Sequence, residues 1–260
     1  MAVTIKSSRE IELMRTAGRY LSEVLDELCA SIRPGWSTAK IDALGEKLIR
    51  SKGCVPNFLH YEGFPASFCL SLNDEVVHGI PSRKRFVQEG DILSIDGGLI
   101  YKGYHSDAAR SIILGEGTPE LRQLMEVTEE SFFKGIAKAV AGNHLHDISN
   151  AIADYVEPFG YGIVEDLTGH GIGRALHEDP AIPNFRQTSR GIRLKAGMTL
   201  AVEPMIAMGT WEVRFADDGW TCTTLDGKPA SHYENTILIT DGEPEILTLP
   251  GGRAHKSAEI

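Results

Sequence analysis

One short phrase occurs twice in this chain, and each copy ends in a carboxylate. Val87-Gln-Glu-Gly-Asp-Ile-Leu-Ser-Ile-Asp96 aligns without a gap on Leu194-Lys-Ala-Gly-Met-Thr-Leu-Ala-Val-Glu203. Gly90 falls on Gly197, Leu93 on Leu200, Ile95 on Val202 and Asp96 on Glu203. At the same offset Gly35 matches Gly142, Ile41 matches Ile148 and Gly53 matches Gly160. At a larger offset His105-Ser-Asp107 is echoed by His232-Tyr-Glu234, and each echo leads into an apolar run that ends Gly-Glu. A period of about one hundred residues is too long for a solenoid. It predicts a single domain over 1–260, built of duplicated halves near 1–116 and 117–249 and related by a pseudo-twofold, with 250–260 as a flexible tail. Such an axis gathers four acids at one place. Converging carboxylates are the usual way to hold divalent cations.

Each half opens with two helices. Ser7-Ser-Arg-Glu10 reads as a capping box, and Met14, Ala17, Leu21, Leu25 and Leu28 follow at helical spacing. Pro34-Gly35 stops that helix; Ser37-Thr38 starts the next, which ends before Gly53. In the second half Thr118-Pro119 opens a helix through Phe132, and His146 or Asp147 precedes another that ends near Gly160. Strand signals follow each pair. Ile92 to Asp96 leads through a Lys102-Gly103 turn into Tyr104 to Leu114, a β-hairpin that sets Asp96 opposite Asp107 or within one pairing step of it. Directly opposed acids repel, and a cation between them removes the objection. The fold expected is α+β, one continuous central antiparallel sheet with helices on its outer face.

Composition excludes several classes of function. A formal net charge of -10 argues against a polyanionic partner such as nucleic acid. Cys29, Cys54, Cys69 and Cys222 are far apart, which excludes a local zinc ribbon and offers no disulfide framework. The start of the chain has no apolar signal-peptide core, and no apolar run reaches membrane-spanning length. Reduced thiols and a cytoplasmic location are expected.

Asp96, Asp107, Glu203 and Glu234 therefore form the candidate metal site. Pure oxygen sites suit Mg, Ca or Mn; an added imidazole favours Zn, Fe, Co or Mn. His170, in Thr168-Gly-His-Gly-Ile-Gly173, is the best histidine candidate, because the glycines on either side leave its ring approachable. His78-Gly-Ile-Pro81 and His177-Glu-Asp-Pro180 share an H-x-x-P pattern, one in each half. Taken singly, each has an ordinary structural reading; the paired context sets a substrate-contacting role level with it. No G-x-S-x-G elbow, Walker loop or H-E-x-x-H is present.

Ser94-Ile-Asp96, Gly103-Tyr-His-Ser-Asp107, Gly169-His-Gly-Ile-Gly173, Ala201-Val-Glu-Pro204, Tyr233-Glu-Asn-Thr236 and Asn73-Asp-Glu-Val-Val-His-Gly-Ile-Pro81 stand in the order found in one family. The chain resembles the methionine aminopeptidases of the pita-bread metallopeptidase fold, from its first helix to about Leu249, and looks like the short bacterial type I form. The resemblance implies two divalent ions (Co, Mn, Fe or Zn). It implies that Asp96 chelates one, that Asp107 and Glu234 bridge both, and that His170 and Glu203 complete the other. It implies His78 and His177 at the substrate backbone, and a methionine pocket of Tyr61, Phe64, Cys69, Leu176 and Trp220. Phe58 stands where that pocket often has a small or thiol residue, and Leu176 where an aromatic is more usual. The activity implied is removal of an N-terminal methionine before a small, uncharged residue, with Glu203 as general base. The partners implied are nascent-chain N-termini and transiently the ribosome, for a monomer. Proline-specific enzymes of the same fold usually carry a separate N-terminal domain. Non-enzymatic modules of the fold lose ligands, and all five are present here.

Overall fold

A computed structural model of the chain describes residues 3–249. The expected tail, 250–260, lies outside the described residues. Among those described, the helices are α1 (Ser8–Ser31), α2 (Thr38–Ser51), α3 (Pro119–Ile136) and α4 (Leu145–Val156). The strands are β1 (Val55–Pro56), β2 (Phe68–Leu72), β3 (Glu75–Val77), β4 (Ile92–Tyr101), β5 (Tyr104–Ile113), β6 (Gly162–Ile163), β7 (Gly169–Gly171) and β8 (Glu178–Ile182), followed by β9 (Thr199–Val202), β10 (Met205–Ala207), β11 (Val213–Phe215), β12 (Cys222–Thr224), β13 (Ala230–His232), β14 (Glu234–Leu238) and β15 (Glu245–Ile246).

The duplication is a property of the backbone. All three matched glycine pairs, Gly35/Gly142, Gly53/Gly160 and Gly90/Gly197, are left-handed, with φ between 70° and 99°. Gly35 N–H donates to Val87 C=O, and Gly142 N–H to Leu194 C=O, at 2.7 and 2.9 Å. Isolated bridges join Ser37 to Phe86 and, correspondingly, His144 to Arg193. These contacts tie the start of the second helix of each half to the start of its acid-bearing strand.

Helix starts follow their capping chemistry. At α1, Glu10 accepts from the Ser7 N–H and hydroxyl at 2.9 and 2.7 Å. At α4 the N-cap is His144, before either expected position, His146 or Asp147. Asp147 does cap, but from the third helical position, where its carboxylate accepts the His144 N–H at 2.8 Å.

The main sheet runs β1-β4-β5-β14-β9-β7-β8, with β2 also on β4 and β15 also on β14. Its centre is symmetric: β4 and β9 carry the repeated phrase, and β5 and β14 carry its two echoes. The half-domains meet at β5·β14, which is the pseudo-twofold expected of the pita-bread fold. One face packs on the helices. Leu93 and Ile95 lie with α1 and α2, while Leu200 and Val202 lie with α3 and α4. Each such side chain contributes about 1.5–3 kcal/mol by leaving water. Because side chains alternate along a strand, Asp96 and its equivalents face the other way.

The main sheet runs unbroken through both halves, as expected. Two further three-stranded sheets, β13-β10-β6 and β11-β12-β3, stand beside the main one. The chain leaves the main sheet after Val202 because Pro204 has no N–H to continue the ladder. Among the described residues no helix is long and apolar enough to cross a membrane.

Candidate metal centre

The hairpin turn fixes the register of the site. Lys102 (φ 48) and Gly103 (φ 83) form a two-residue turn of the kind that suits strand twist. Tyr101 therefore pairs with Tyr104, Asp96 with Ala109 and Gly98 with Asp107. The two acids are diagonal neighbours on one face, one same-face step apart, and are not directly opposed.

Carried across the sheet, this register lays the candidate ligands in two adjacent rows. In one row Asp96 pairs with Ala109 and Ala109 with Glu234, and Glu203 comes level with Glu234 one step past the pair Asn235↔Val202. In the other row Gly98 pairs with Asp107, which is level with Thr236; Thr236 pairs with Ala201, and Ala201 with His170. The residues between the ligands are Gly, Ala and Thr, so nothing bulky stands between the acids. The ligands come from five strands in spatial order: Asp96 on β4, Asp107 on β5, Glu234 on β14, Glu203 after β9 and His170 on β7.

At Asp107 the seam between the halves is closed by a side chain. Thr236 Oγ1 accepts the Asp107 N–H at 3.1 Å and donates to the Asp107 C=O at 2.8 Å. Across the sheet Arg110 donates to the backbone carbonyls of Ala109 and Glu234 and to Asn235 Oδ1. Asn184 Nδ2 donates to the Glu203 carbonyl at 3.1 Å.

Gly169 and Gly171 flank His170 for a reason different from the one the sequence suggests. A Cβ on Gly169 would lie 2.4 Å from Ala201 O, and one on Gly171 would lie 2.2 Å from Asp179 O. The glycines let the neighbouring backbones close in on His170. Its Nδ1 lies 2.8 Å from the Gly171 carbonyl, which can only accept. That bond places the proton on Nδ1 and leaves the Nε2 lone pair facing the acids. Nε2 is 3.9 Å from Asp107 Oδ2 and 3.7 Å from Glu203 Oε1. Single ligand atoms of Asp107, His170 and Glu234 lie within 4.8 Å of one another.

These groups fit a cation and little else. Asp96, Asp107 and Glu234 are at most 8% exposed, and Asp96 Oδ1, Asp107 Oδ1 and Glu234 Oε1 make no hydrogen bond. Burial pushes the Asp96 carboxyl up to about 8. Burial, reinforced by neighbouring acids, holds Asp107, Glu203 and Glu234 well above the usual carboxylate range. Burial also drives His170 down to about 3, which keeps its ring neutral. Unpaired buried carboxylates are costly; a bound divalent ion reverses that cost.

The site floors a cavity of about 350 Å³. Every expected residue lines it: the five candidate ligands, His78, His177, Tyr61, Phe64, Cys69, Leu176, Trp220 and Phe58. Phe64 meets Trp220 edge to face at 5.1 Å. Burial drives His78 down to about 4 and lowers His177, so both rings are neutral at pH 7. His232 is a neighbour of the site that the motifs alone do not single out. Its ring is buried, makes no hydrogen bond, and places Nε2 3.9 Å from both Glu203 Oε2 and Glu234 Oε2. The repeat carries its signal, since a histidine stands two residues before each echoed acid.

The family model of metallopeptidase family M24 matches residues 12–241, and the chain belongs to that family. Within it, the relatives matched over nearly full length are methionine aminopeptidases. The one from Clostridium acetobutylicum is 51% identical over 247 residues, which is 95% of this chain and 99% of that one. Methionine aminopeptidase 1 of Bacillus subtilis is 44% identical over 246 residues, with 95% and 99% covered. The crystal structure of the Thermotoga maritima methionine aminopeptidase superposes with a TM-score of 0.93 at 41% identity, covering 95% of this chain and all of that one. The prolidase of Pyrococcus furiosus is 23% identical with a TM-score of 0.73, and this chain spans 65% of it; that likeness is of fold alone.

Proposed function

We propose that this chain is a methionyl aminopeptidase, which removes the N-terminal methionine of proteins and peptides when the second residue is small and uncharged. The observation that carries the reading is the pair of ligand rows, Asp96–Glu234–Glu203 and Asp107–His170, at the floor of an apolar-walled cavity. Asp107 and Glu234 occupy the central strands, with Asp96 on one side and Glu203 and His170 on the other. In that order Asp96, Asp107, His170, Glu203 and Glu234 would hold the divalent metal, and the carboxylate-imidazole donor set suits Co, Mn, Fe or Zn. When bound, such ions acidify a water and polarise the scissile carbonyl.

The chain's own groups do the rest. Glu203 accepts the proton of the attacking water at its carboxylate and returns it to the departing amine. His177 and His78 hydrogen-bond the substrate backbone, and as neutral rings they donate without adding charge. Phe58, Tyr61, Phe64, Cys69, Leu176 and Trp220 enclose the methionine side chain, whose burial is worth about 1.5–3 kcal/mol, and its sulfur meets aromatic edges. The acids beside the scissile bond attract a free N-terminal amine, so cleavage is exo. One catalytic domain accommodates this, because both halves share one sheet and one cavity. Four free thiols, Cys29, Cys54, Cys69 and Cys222, accord with the cytoplasm. Nascent chains are the substrates, met by a monomer near the ribosome.

The test is a substrate panel with the metal-loaded protein. Met-Ala and Met-Ala-Ser should be cleaved, Met-Lys cleaved at least about a hundredfold more slowly, and Ala-Pro left intact. Cleavage of Ala-Pro in preference to Met-Ala would replace this reading with a proline-specific one.

A further inference from the structure

Tyr61 holds a place that pocket lining does not account for. It lies between His60 at φ 70 and Glu62 at φ 49, with Gly63 at φ 94 next. Two left-handed positions flank one side chain, neither of them is glycine, and each costs on the order of 1 kcal/mol. Such strain persists only where the surroundings enforce it. Here the loop is closed on itself. His60 N–H donates to Phe64 C=O at 2.8 Å, Tyr61 N–H to Phe58 C=O at 2.9 Å and Phe64 N–H to Tyr61 C=O at 2.9 Å. The result is a rigid projection of the Tyr61 ring toward a residue 116 positions away: the phenol oxygen is 2.8 Å from His177 Nδ1. The other side of the His177 ring meets the His170 ring, with centroids 4.3 Å apart and planes 82° apart. His177 is thus held between the pocket loop and a candidate metal ligand.

We propose that Tyr61 is a positioning residue that sets the tautomer of His177: its phenol O–H donates to Nδ1, so that the ring proton resides on Nε2 and Nε2–H is the donor offered to the substrate. The inference rests on the aminopeptidase reading for what His177 contacts. The direction of the bond follows from the chemistry of both partners. A phenol donates more readily than it accepts, because its lone pair is delocalised into the ring. Were Nδ1 the donor instead, Nε2 would present a lone pair to the carbonyl it has to bind. The rule is general for histidine: the hydrogen bond made by one nitrogen fixes what the other can do.

Tyr61→Phe keeps the ring and the pocket wall and removes only the donor. The experiment uses zinc-loaded, diamagnetic holoenzyme labelled with 15N-histidine, with His177→Gln to assign the resonance. Wild-type protein should show the proton on His177 Nε2, with Nδ1 shifted as a hydrogen-bond acceptor. In Tyr61→Phe the Nδ1 signal should move to that of a free ring exchanging between tautomers. Turnover should fall about tenfold, mostly in kcat, while zinc content and Tm stay at wild-type values. A proton on Nδ1 in the wild type would overturn the proposal, even if Tyr61→Phe proved unfolded. So would an Nδ1 shift unchanged by the substitution. If the wild type released no methionine, the aminopeptidase reading would fail, whereas the NMR result would still decide the tautomer.

Discussion

In chelator, Asp107→Asn melts at a higher temperature than the wild-type protein; with a divalent metal supplied, the order reverses. Asp107 is 3% exposed, its Oδ1 makes no hydrogen bond, and burial and then Asp96 and Glu203 hold its carboxyl well above the usual range. Asparagine has the same shape and no charge, so it removes one repulsive partner from a crowded, metal-free cluster. The gain expected is about 1–3 kcal/mol, or several degrees in Tm at this chain length. The pH dependence has a definite sign. A carboxyl whose folded value is raised binds a proton in the folded state that the unfolded chain has already released. Metal-free stability is therefore full below the unfolded value, about 4, and is lost as pH rises toward the folded value, about 8 for Asp96. Metal cancels that loss, because stabilisation by a ligand grows as RT ln(1 + [L]/Kd), about 4 kcal/mol at a thousandfold excess over Kd. Asp107→Asn, short of one proposed ligand, forfeits most of it. Equal melting curves for the two proteins in chelator across this pH range would contradict repulsion within the acid cluster.

Glu203→Gln is expected to lower kcat by about 10²–10⁴, the usual worth of a positioned general base. Glutamine keeps the shape and one carbonyl oxygen near His170 Nε2, but it cannot take a proton. Because Glu203 is also a proposed ligand, metal content must be measured beside activity. Full metal occupancy with the rate lost assigns the loss to proton transfer; a parallel loss of both assigns it to ligation. A decrease under about tenfold at full occupancy would move the base to His78 or His177.

Most of this site is legible in the repeat. The repeat carries the left-handed glycine pairs, the capping positions and the acid-bearing strands, because backbone conformations of that kind need particular residues. It also places the start of α4, since Ser37, the N-cap of α2, falls at the same offset on His144. The acid pattern of Asp147 is the more visible signal and lies three positions past the cap. The hairpin register is within reach too: a two-residue turn at Lys102-Gly103 dictates Asp96 across from Ala109. What the sequence does not disclose depends on tertiary geometry. The Thr236 hydroxyl substitutes for a backbone partner of Asp107 because the Thr236 N–H and C=O are already taken by Thr248 Oγ1 and Leu247 N–H. Gly169 is demanded by the approach of the Ala201 backbone, and Gly171 by that of Asp179 on the neighbouring strand. Pro204 is in plain view, but its effect, sending the chain out of the main sheet into a second one, needs the sheet order to be understood.

The most direct measurement is release of methionine from Met-Ala-Ser by metal-stripped protein, before and after addition of Mn, Co or Fe, with Asp96→Ala in parallel. No release is expected without metal, restored release with it, and none from Asp96→Ala under either condition. Wild-type protein that takes up metal and still releases no methionine would contradict the metal-dependent aminopeptidase reading.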